Sequence, residues 1–352
     1  MGILEITSLS SLINMRIKAA LLTELKKGLK VEEIVLEQEL LPGQVLVSIT
    51  ATAICGSQIG EIDGIKGTDH FLPHCLGHEA VGKVLDSRQS NKFCDGDDVI
   101  LHWMKGDGID APTYSYRSDN KNINAGRITT FMSHAVISEN RMTRIKQFDE
   151  KLVSLYSTIG CAHLTALGVL KNDLRYADKK DVLLVGGGGV AQALISHLLF
   201  EGVETIVVVE RSATRRSHCL SLGATEVHEN TNNLTSRTFD TVIELTGDPQ
   251  NIEFGYDATN KYGALCLVGV TPFNQKISIN PMPLHFGKRI IGSYGGSCHP
   301  QLDIGNILSR IESKPDIFLL QQYSVFPIES INEAITEIRM GRIPGRAVVK
   351  FS

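Results

Sequence analysis

A glycine-rich turn between an apolar strand and a helix is the strongest chemical signal in this sequence. The run Val182–Val185 leads into Gly186-Gly-Gly-Gly-Val190-Ala191, in which Gly186, Gly188 and Ala191 fit the pattern G-x-G-x-x-G/A. The first glycine permits a tight turn, the second lets the backbone approach a pyrophosphate, and the small third residue lets the helix pack on the strand. The turn therefore predicts a dinucleotide site, with phosphates at the helix N-terminus.

An acidic residue stands where a dinucleotide site needs one. Glu210 follows the next apolar strand, Thr205–Val209, and lies 19 residues past the last small residue of the turn. A carboxylate at this point accepts hydrogen bonds from the adenosine ribose and would repel a 2′-phosphate, which favours NAD over NADP. Arg211, Arg215 and Arg216 follow it, and they either bind such a phosphate or lie solvated on a helix surface.

Three residues have the chemistry of zinc ligands. They are Cys55 in Ile-Cys-Gly-Ser, His78 in Gly-His-Glu and Cys161 in Ile-Gly-Cys-Ala. A catalytic zinc is held by three protein ligands and keeps one position open. Spacing alone is a weak indication here, because a single Cys is more often a small buried apolar residue and a single His is often structural.

Two kinds of element must position these residues. The first 150 residues contain short, partly alternating strands such as 44–50 and 79–85, which predicts an antiparallel, barrel-like β region. From Asp181 onward, solid apolar runs alternate with helical stretches, which is typical of a parallel sheet covered on both faces. The length of 352 residues suits about two domains.

Composition narrows the function classes. Lys and Arg number 35 against 39 Asp and Glu, a net charge of −4, which argues against nucleic-acid binding. No apolar run approaches the length of a membrane helix. The seven Cys are odd in number and widely spaced, so we expect a cytoplasmic protein rather than a disulfide scaffold. Residues 1–14 lack the features of a secretory signal and are expected to form a tail.

Together these motifs give the chain a family resemblance from Met15 almost to its end. It resembles the medium-chain dehydrogenase/reductase superfamily and, within it, the zinc-containing alcohol and polyol dehydrogenases. The motifs that carry the resemblance, in the family's order, are Cys55-Gly-Ser57, Gly77-His-Glu-Ala-Val-Gly82, Gly96-Asp-Asp-Val99, Gly160-Cys161, the Gly186–Ala191 turn with Glu210, and Gly292-Ser-Tyr-Gly-Gly296.

The resemblance implies a fold and its domain boundaries. It implies an α/β protein in which a GroES-like β-barrel catalytic domain is interrupted by a Rossmann domain with a doubly wound parallel sheet. We expect the catalytic domain at 15–164 and 297–352 and the NAD-binding domain at 165–296.

The resemblance also implies roles for particular residues. Cys55, His78 and Cys161 would be the catalytic zinc ligands, and Ser57 would take the proton from the substrate alcohol. Glu79 matches a glutamate near the metal, which in polyol dehydrogenases can itself be the third protein ligand. Trp103 falls where relatives often wall the substrate pocket, although core packing explains it equally well. The residues expected to bind the cofactor are Gly186, Gly188, Val190, Ala191, Glu210, Arg215, Val268 and Val270.

Several positions depart from the family pattern. The stretch 101–126 has no Cys where relatives carry the four cysteines of a structural zinc, so we expect one metal per chain. The neighbouring His70, His74 and Cys75 look like metal ligands but have no family role, and we interpret them as structural. Gln58 stands where many relatives have an acid that orients the ligating His, and an amide raises ligand basicity less than a carboxylate. Gly60 and Gly56 replace a relay histidine and a basic cofactor contact.

The reaction implied is reversible hydride transfer between an alcohol, polyol or sugar-like, and NAD. One alternative is a zinc-free quinone- or enoyl-type reductase on the same fold, which the three ligand residues argue against. The other is a catalytically silent cofactor-binding protein. The expected partners are a small-molecule alcohol or carbonyl substrate and further copies of the chain in a homodimer or homotetramer, with no nucleic acid and no membrane.

Overall fold

The computed structural model describes residues 14–65, 67–119, 121–146 and 149–351. The expected tail, 1–14, therefore lies outside the described residues except for its last position. The chain forms two compact units: the first contains residues 1–157, 325–335 and 348–352, and the second contains 158–324 and 336–347.

Strands predominate in the first part of the chain, and helices and strands alternate after it. The strands are β1 (Met15–Leu22), β2 (Lys30–Leu36), β3 (Gln44–Ala53), β4 (His74–Cys75), β5 (Ala80–Asp86), β6 (Asp98–Leu101), β7 (Ser115–Ser118), β8 (Lys121–Asn124), β9 (His134–Ser138), β10 (Met142–Arg144), β11 (Asp181–Val185), β12 (Thr205–Val209), β13 (Glu226–His228), β14 (Phe239–Glu244), β15 (Thr259–Leu267), β16 (Arg289–Gly292), β17 (Tyr323–Pro327) and β18 (Arg346–Lys350). The α-helices are α1 (Gly56–Ile62), α2 (Val153–Tyr156), α3 (Leu164–Gly168), α4 (Gly189–Phe200), α5 (Ala213–Ser221), α6 (Pro249–Asp257), α7 (Met282–His285), α8 (Pro300–Ser313), α9 (Pro315–Phe318) and α10 (Ile331–Arg339). Two π-helical turns, Ile159–His163 and Val169–Asp173, flank α3, and short 3-10 turns occur at Glu139–Arg141, Glu150–Leu152, Asn232–Leu234, Gly295–Ser297 and Ile328–Ser330.

The first unit is built from β-strands. A closed barrel has the strand order β1-β2-β7-β8-β4, and a second sheet has the order β10-β6-β5-β3-β18-β17 with β9 paired to β3. In β1 the alternate residues Ile17, Ala19 and Leu21 point into one apolar core, and Ala20 and Leu22 are also fully buried. The expected GroES-like barrel is confirmed.

The second unit contains a six-stranded parallel sheet in the order β13-β12-β11-β14-β15-β16. Successive residues of β11 point to opposite faces: Val182 and Leu184 join one apolar cluster, while Leu183 and Val185 join another. A strand buried on both faces needs a solid apolar run, which is why this part of the sequence shows no alternation. The expected doubly wound sheet is confirmed.

The domain boundaries expected at 165 and 297 stay a prediction, whereas the second compact unit begins at Thr158 and includes residues 297–324. The reason is side-chain packing of α8: Asp303 pairs with Lys171 at 2.8 Å, and the Arg310 guanidinium lies 4.7 Å from the centre of the Phe200 ring.

No single helix among the described residues is both long and apolar enough to span a bilayer. The neighbouring segments Glu150–Tyr156 and Ile159–Asp173 reach that length and composition only together.

Candidate metal and cofactor site

Helix α1 presents three of the predicted residues at its N-terminus. Cys55 is the N-cap, and its backbone N–H donates to Oε1 of Gln58 at 3.0 Å. Ser57, the second residue of the helix, is exposed, whereas Gln58 is buried. The Gln58 side chain therefore turns back over the start of the helix, beside Cys55.

His78 lies on the other side of Gln58. The Gln58 Nε2 amide is in very short contact with Nδ1 of the imidazole. The other ring nitrogen, Nε2, is buried and has no hydrogen-bond partner among the described residues. One nitrogen of the His78 ring lies within 4.8 Å of the Cys55 sulfur. A buried polar atom without a partner is costly, so this geometry suits a ligand held between thiol and ring.

The residue before His78 has to be glycine. Gly77 has φ +95°, and a Cβ placed on it would lie 2.3 Å from Oγ1 of Thr130 and 2.7 Å from the backbone nitrogen of Phe131. The residue after His78, Glu79, has a fully buried side chain, and its carbonyl accepts a hydrogen bond from Thr52 Oγ1 at 2.7 Å. This packing fixes the backbone that carries the imidazole.

Trp103 belongs to the first unit and is partly buried. Its carbonyl oxygen accepts a hydrogen bond from the Arg141 guanidinium at 2.5 Å. This contact positions the backbone at Trp103.

Cys161 lies in the second unit. It is 6 % exposed and is the central residue of the π-helical turn Ile159–His163. Such turns are rare and occur often at functional sites. None of the seven cysteines, all of which are described, forms a disulfide.

The glycine turn of the second unit connects β11 to α4. Gly186 has φ +107°, which disfavours any residue with a Cβ, and its N–H donates to the Val209 carbonyl at 2.8 Å. Gly188 is the N-cap of α4, and a Cβ placed there would meet nothing within 4 Å. Ala191 is fully buried under the turn and Val190 partly buried. There is thus open space beside Gly188, whereas Ala191 is tightly packed.

Glu210 is 8 % exposed and is bound to the same turn. Its Oε2 accepts the N–H of Gly187 at 2.9 Å, and its Oε1 accepts the N–H of Ser212 at 2.8 Å. The carboxylate therefore has a fixed place at the carboxyl end of β12, next to the glycines, as dinucleotide sites require.

The arginines after Glu210 are largely engaged with backbone carbonyls. Arg215 donates to the Ile338 carbonyl at 3.0 Å, and Arg216 donates to the carbonyls of Glu210 and Arg211 at 2.7 Å each. Two further predicted cofactor residues follow β15: the Val268 N–H donates to the Glu244 carbonyl at 2.8 Å, and Val270 is 81 % exposed.

Two residues at this end of the sheet were missed by sequence reasoning. Arg346 lies against the turn: a Cβ on Gly189 would be 2.3 Å from its Cδ and 2.4 Å from its Nη1. Glu244, at the end of β14, is fully buried; burial raises its pKa, while hydrogen bonds from Thr246 and Gly247 oppose that shift. Position after an apolar strand could have identified Glu244, but nothing local marks Arg346.

Known proteins share this architecture. A family model described as "Alcohol dehydrogenase GroES-like domain" matches residues 41–147, and one described as "Zinc-binding dehydrogenase" matches 189–313. D-arabinose 1-dehydrogenase (NADP(+)) of Saccharolobus solfataricus is 27% identical to this chain, and the alignment covers 94% of this chain and 97% of that protein. An alcohol dehydrogenase zinc-binding domain protein from Burkholderia ambifaria has a TM-score of 0.85 at 21% identity, with 96% and 100% covered. Benzyl alcohol dehydrogenase from Acinetobacter calcoaceticus has a TM-score of 0.82 at 21% identity, with 96% and 100% covered.

The two family models together match about two thirds of the chain and name the same two domains that the folded units display. The chain belongs to the zinc-type medium-chain alcohol dehydrogenases. It is accordingly an oxidoreductase that acts on CH–OH groups with a nicotinamide cofactor.

Proposed function

We propose that the protein is a zinc-dependent alcohol dehydrogenase whose metal is held by Cys55, His78 and Cys161. The observation that carries the proposal is the buried imidazole of His78: its Nε2 lacks a partner within the described part of the chain, and one of its ring nitrogens lies within 4.8 Å of the Cys55 thiol. Two thiols and one imidazole form a known catalytic zinc set that leaves one position open. When bound, zinc acts as a Lewis acid that lowers the pKa of a coordinated hydroxyl.

The remaining groups of the first unit have separate tasks in this proposal. Ser57 is exposed two residues after Cys55, and its Oγ accepts the proton that leaves the substrate hydroxyl and passes it toward a cofactor ribose hydroxyl or water. Gln58 orients the imidazole of His78. Glu79 keeps a buried carboxyl directly after that imidazole.

The second unit would bind the cofactor, which supplies the hydride acceptor. The backbone N–H groups at the start of α4 face the pyrophosphate, and the Arg346 guanidinium beside Gly189 adds positive charge there. Glu210 accepts from the adenosine ribose. Val190, Val268 and Val270 are proposed to contact the rest of the dinucleotide.

We propose NAD as the preferred cofactor because the Glu210 carboxylate is fixed beside the turn and would repel a 2′-phosphate. The S. solfataricus relative is named for NADP(+), so both cofactors have to be compared in kcat/KM. Glu210→Gln keeps the shape and removes the charge, and it should shift the preference toward NADP. An unchanged ratio of the two kcat/KM values would contradict this role for Glu210.

The proposed substrate is a small polyol or sugar-like alcohol, and the proposed location is the cytoplasm. The sugar substrate in the name of the S. solfataricus relative supports the substrate class. Trp103 is proposed as a wall of the substrate pocket. The cytoplasmic location follows from cysteines without a disulfide framework.

We further propose a homodimer or homotetramer whose contact includes β16. This strand is at one end of the sheet order, and nearby apolar side chains are exposed, among them Met282, Phe286 and Tyr294 at 58, 56 and 72 %. An edge strand with exposed apolar neighbours is a site for pairing with another chain. Sedimentation should give a dimer or larger, and Phe286→Glu should weaken it; a monomer at micromolar concentration would contradict the proposal.

The deciding measurement is zinc per chain in protein purified without added metal or chelator, followed by a screen of alcohols and polyols with NAD and NADP. Retained zinc and alcohol-dependent NAD(P)H formation are expected. Protein that neither contains zinc nor gains activity when zinc is added would overturn the zinc mechanism and favour a zinc-free reductase.

Cys161→Ser tests the third ligand. The variant should lose tightly held zinc and turnover while its affinity for NADH stays unchanged, because the cofactor turn lies elsewhere in the second unit. Normal turnover in this variant would remove Cys161 from the site.

A further inference from the structure

A second cluster of metal-ligating side chains lies in the first unit, apart from Cys55 and His78. It consists of Glu61 in the last turn of α1, Asp69 in the loop that follows, and His74 at the start of β4, and we refer to it as the helix-end cluster. Their ligand atoms all lie within 4.8 Å of one another. No part of the proposed reaction uses these residues.

The cluster is not the one that the sequence suggested. Of the neighbours His70, His74 and Cys75, only His74 belongs to it. The His70 side chain is exposed. The Cys75 thiol points into the barrel core, and burial raises its pKa to about 12, so it is not a thiolate ligand at neutral pH. The two carboxylates come from sequence positions up to 13 residues before His74.

The imidazole of His74 has the hydrogen-bonding arrangement of a ligating histidine. Its Nδ1 lies 3.0 Å from the Cys75 carbonyl oxygen, which can only accept, so Nδ1 carries a hydrogen. Its Nε2 lies 2.8 Å from Oδ2 of Asp69. This contact is favourable only with a cation between the two atoms, either a hydrogen of the ring or a metal ion. Metal-bound histidines commonly donate their other N–H to a backbone carbonyl.

Burial of the ligand atoms strengthens their attraction for such a cation. His74 is 7 % exposed as a residue, and the Asp69 side chain is 12 % exposed. Two carboxylates thus lie close together beside a poorly solvated ring, where a divalent cation binds more strongly than it would at an open surface.

We propose that Glu61, Asp69 and His74 bind a divalent transition-metal cation, for which Zn²⁺ is the best match. Zinc takes both imidazole nitrogen and carboxylate oxygen as ligand atoms, and three protein ligands leave one position open. Without a thiolate, the site should hold zinc more weakly than a site that contains cysteine. The ion would join the last turn of α1 to β4, and α1 is the helix that carries Ser57 and Gln58 at its other end. Its role is therefore to hold that helix in place, independently of whether the proposed reaction is correct.

Zinc binding by the purified full-length protein tests the proposal. The protein, His74→Asn and the matched control His70→Asn are dialysed to equilibrium against increasing free Zn²⁺, and bound zinc is counted. The unchanged protein and the His70 variant should take up one zinc more than the His74 variant, or bind it at least about tenfold more tightly, the lower limit seen even for partners outside the ligand shell. Circular dichroism checks that each variant is folded.

Two further variants keep the result decisive. Glu61→Gln should also lose the additional zinc. Because Glu61 is partly exposed and lies on α1, this result does not depend on the correct folding of β4 in the His74 variant. Cys55→Ser should lose the thiol-bound zinc yet keep the additional one, which separates this proposal from the proposed catalytic site. Equal zinc uptake by the unchanged protein, His74→Asn and Glu61→Gln would overturn the site and leave His74 as an imidazolium ion-paired with Asp69.

Discussion

The two units position their candidate functional groups in different ways. In the first unit, side chains position one another, since Gln58 contacts both Cys55 and His78. In the second unit the backbone does this work: Gly186 turns the chain at φ +107°, and two backbone N–H groups hold the carboxylate of Glu210. Changes of polar side chains should therefore tune the first unit, while changes of backbone conformation should disable the second.

The largest effect is expected where the backbone carries the function. Gly186→Ala places a Cβ at φ +107° and 3.1 Å from the Thr246 Cγ2, a strain of up to about 3 kcal/mol. If the loop relaxes to relieve it, the Kd for NADH should rise by up to about 100-fold. Fluorescence titration with NADH measures this, and zinc content should not change.

A matched control separates strain from position. Gly202 also has a positive φ, +80°, but its Cβ would meet nothing within 4 Å and it lies beyond the other end of α4. Gly202→Ala should lower stability and leave the Kd for NADH unchanged. The comparison between units fails if the two variants affect NADH binding equally.

Buried histidines give each unit an acid sensitivity. Burial lowers the pKa of His102 in the first unit to about 4 and, with help from His163 and Arg310, lowers that of His197 in the second unit well below its usual value. The folded state therefore binds these protons at a lower pH than the unfolded state does. Stability should therefore fall as the pH drops below about 6.5, by up to about 1.4 kcal/mol per pH unit for each ring.

Urea unfolding between pH 6.5 and 4.5 measures this slope. His197→Phe, which keeps an aromatic ring beside Phe318, should reduce the slope by up to about 1.4 kcal/mol per pH unit for the second unit alone. His102→Phe should do the same for the first. An unaltered slope in both variants would show that other groups govern the acid sensitivity.

A smaller effect is expected from the side chain that links the first-unit ligands. Gln58 lies between the Cys55 N–H, which donates to its Oε1, and Nδ1 of His78. Zinc at Nε2 requires the ring hydrogen on Nδ1 and an acceptor facing it, but the single amide oxygen of Gln58 already accepts from Cys55. Gln58→Glu supplies one acceptor for each N–H. Zinc affinity, measured by chelator competition, should therefore rise about tenfold; an unchanged affinity would remove Gln58 as the orienting residue.

Much of the fold and part of the site could be predicted from local sequence. The glycine turn is visible because strand, turn and helix are adjacent, and the sheet is visible because strands buried on both faces are apolar throughout. Arg346 was missed because it approaches Gly189 from 157 positions away in the chain. The helix-end cluster is not visible in the sequence for a related reason: His74 adjoins His70 and Cys75 in the chain, whereas folding brings it to Glu61 and Asp69.

The division of the chain into interleaved segments has a consequence for how the protein can fold. The first unit needs strand β18, which pairs with β3 in the register Val348–Ala53. During synthesis this end of β3 therefore lacks its partner until β18 has been made, while the second unit already has its whole parallel sheet. Fragments cut at one position cannot recover either unit intact, and a chain that ends before β18 should be prone to aggregation even though every proposed ligand is present.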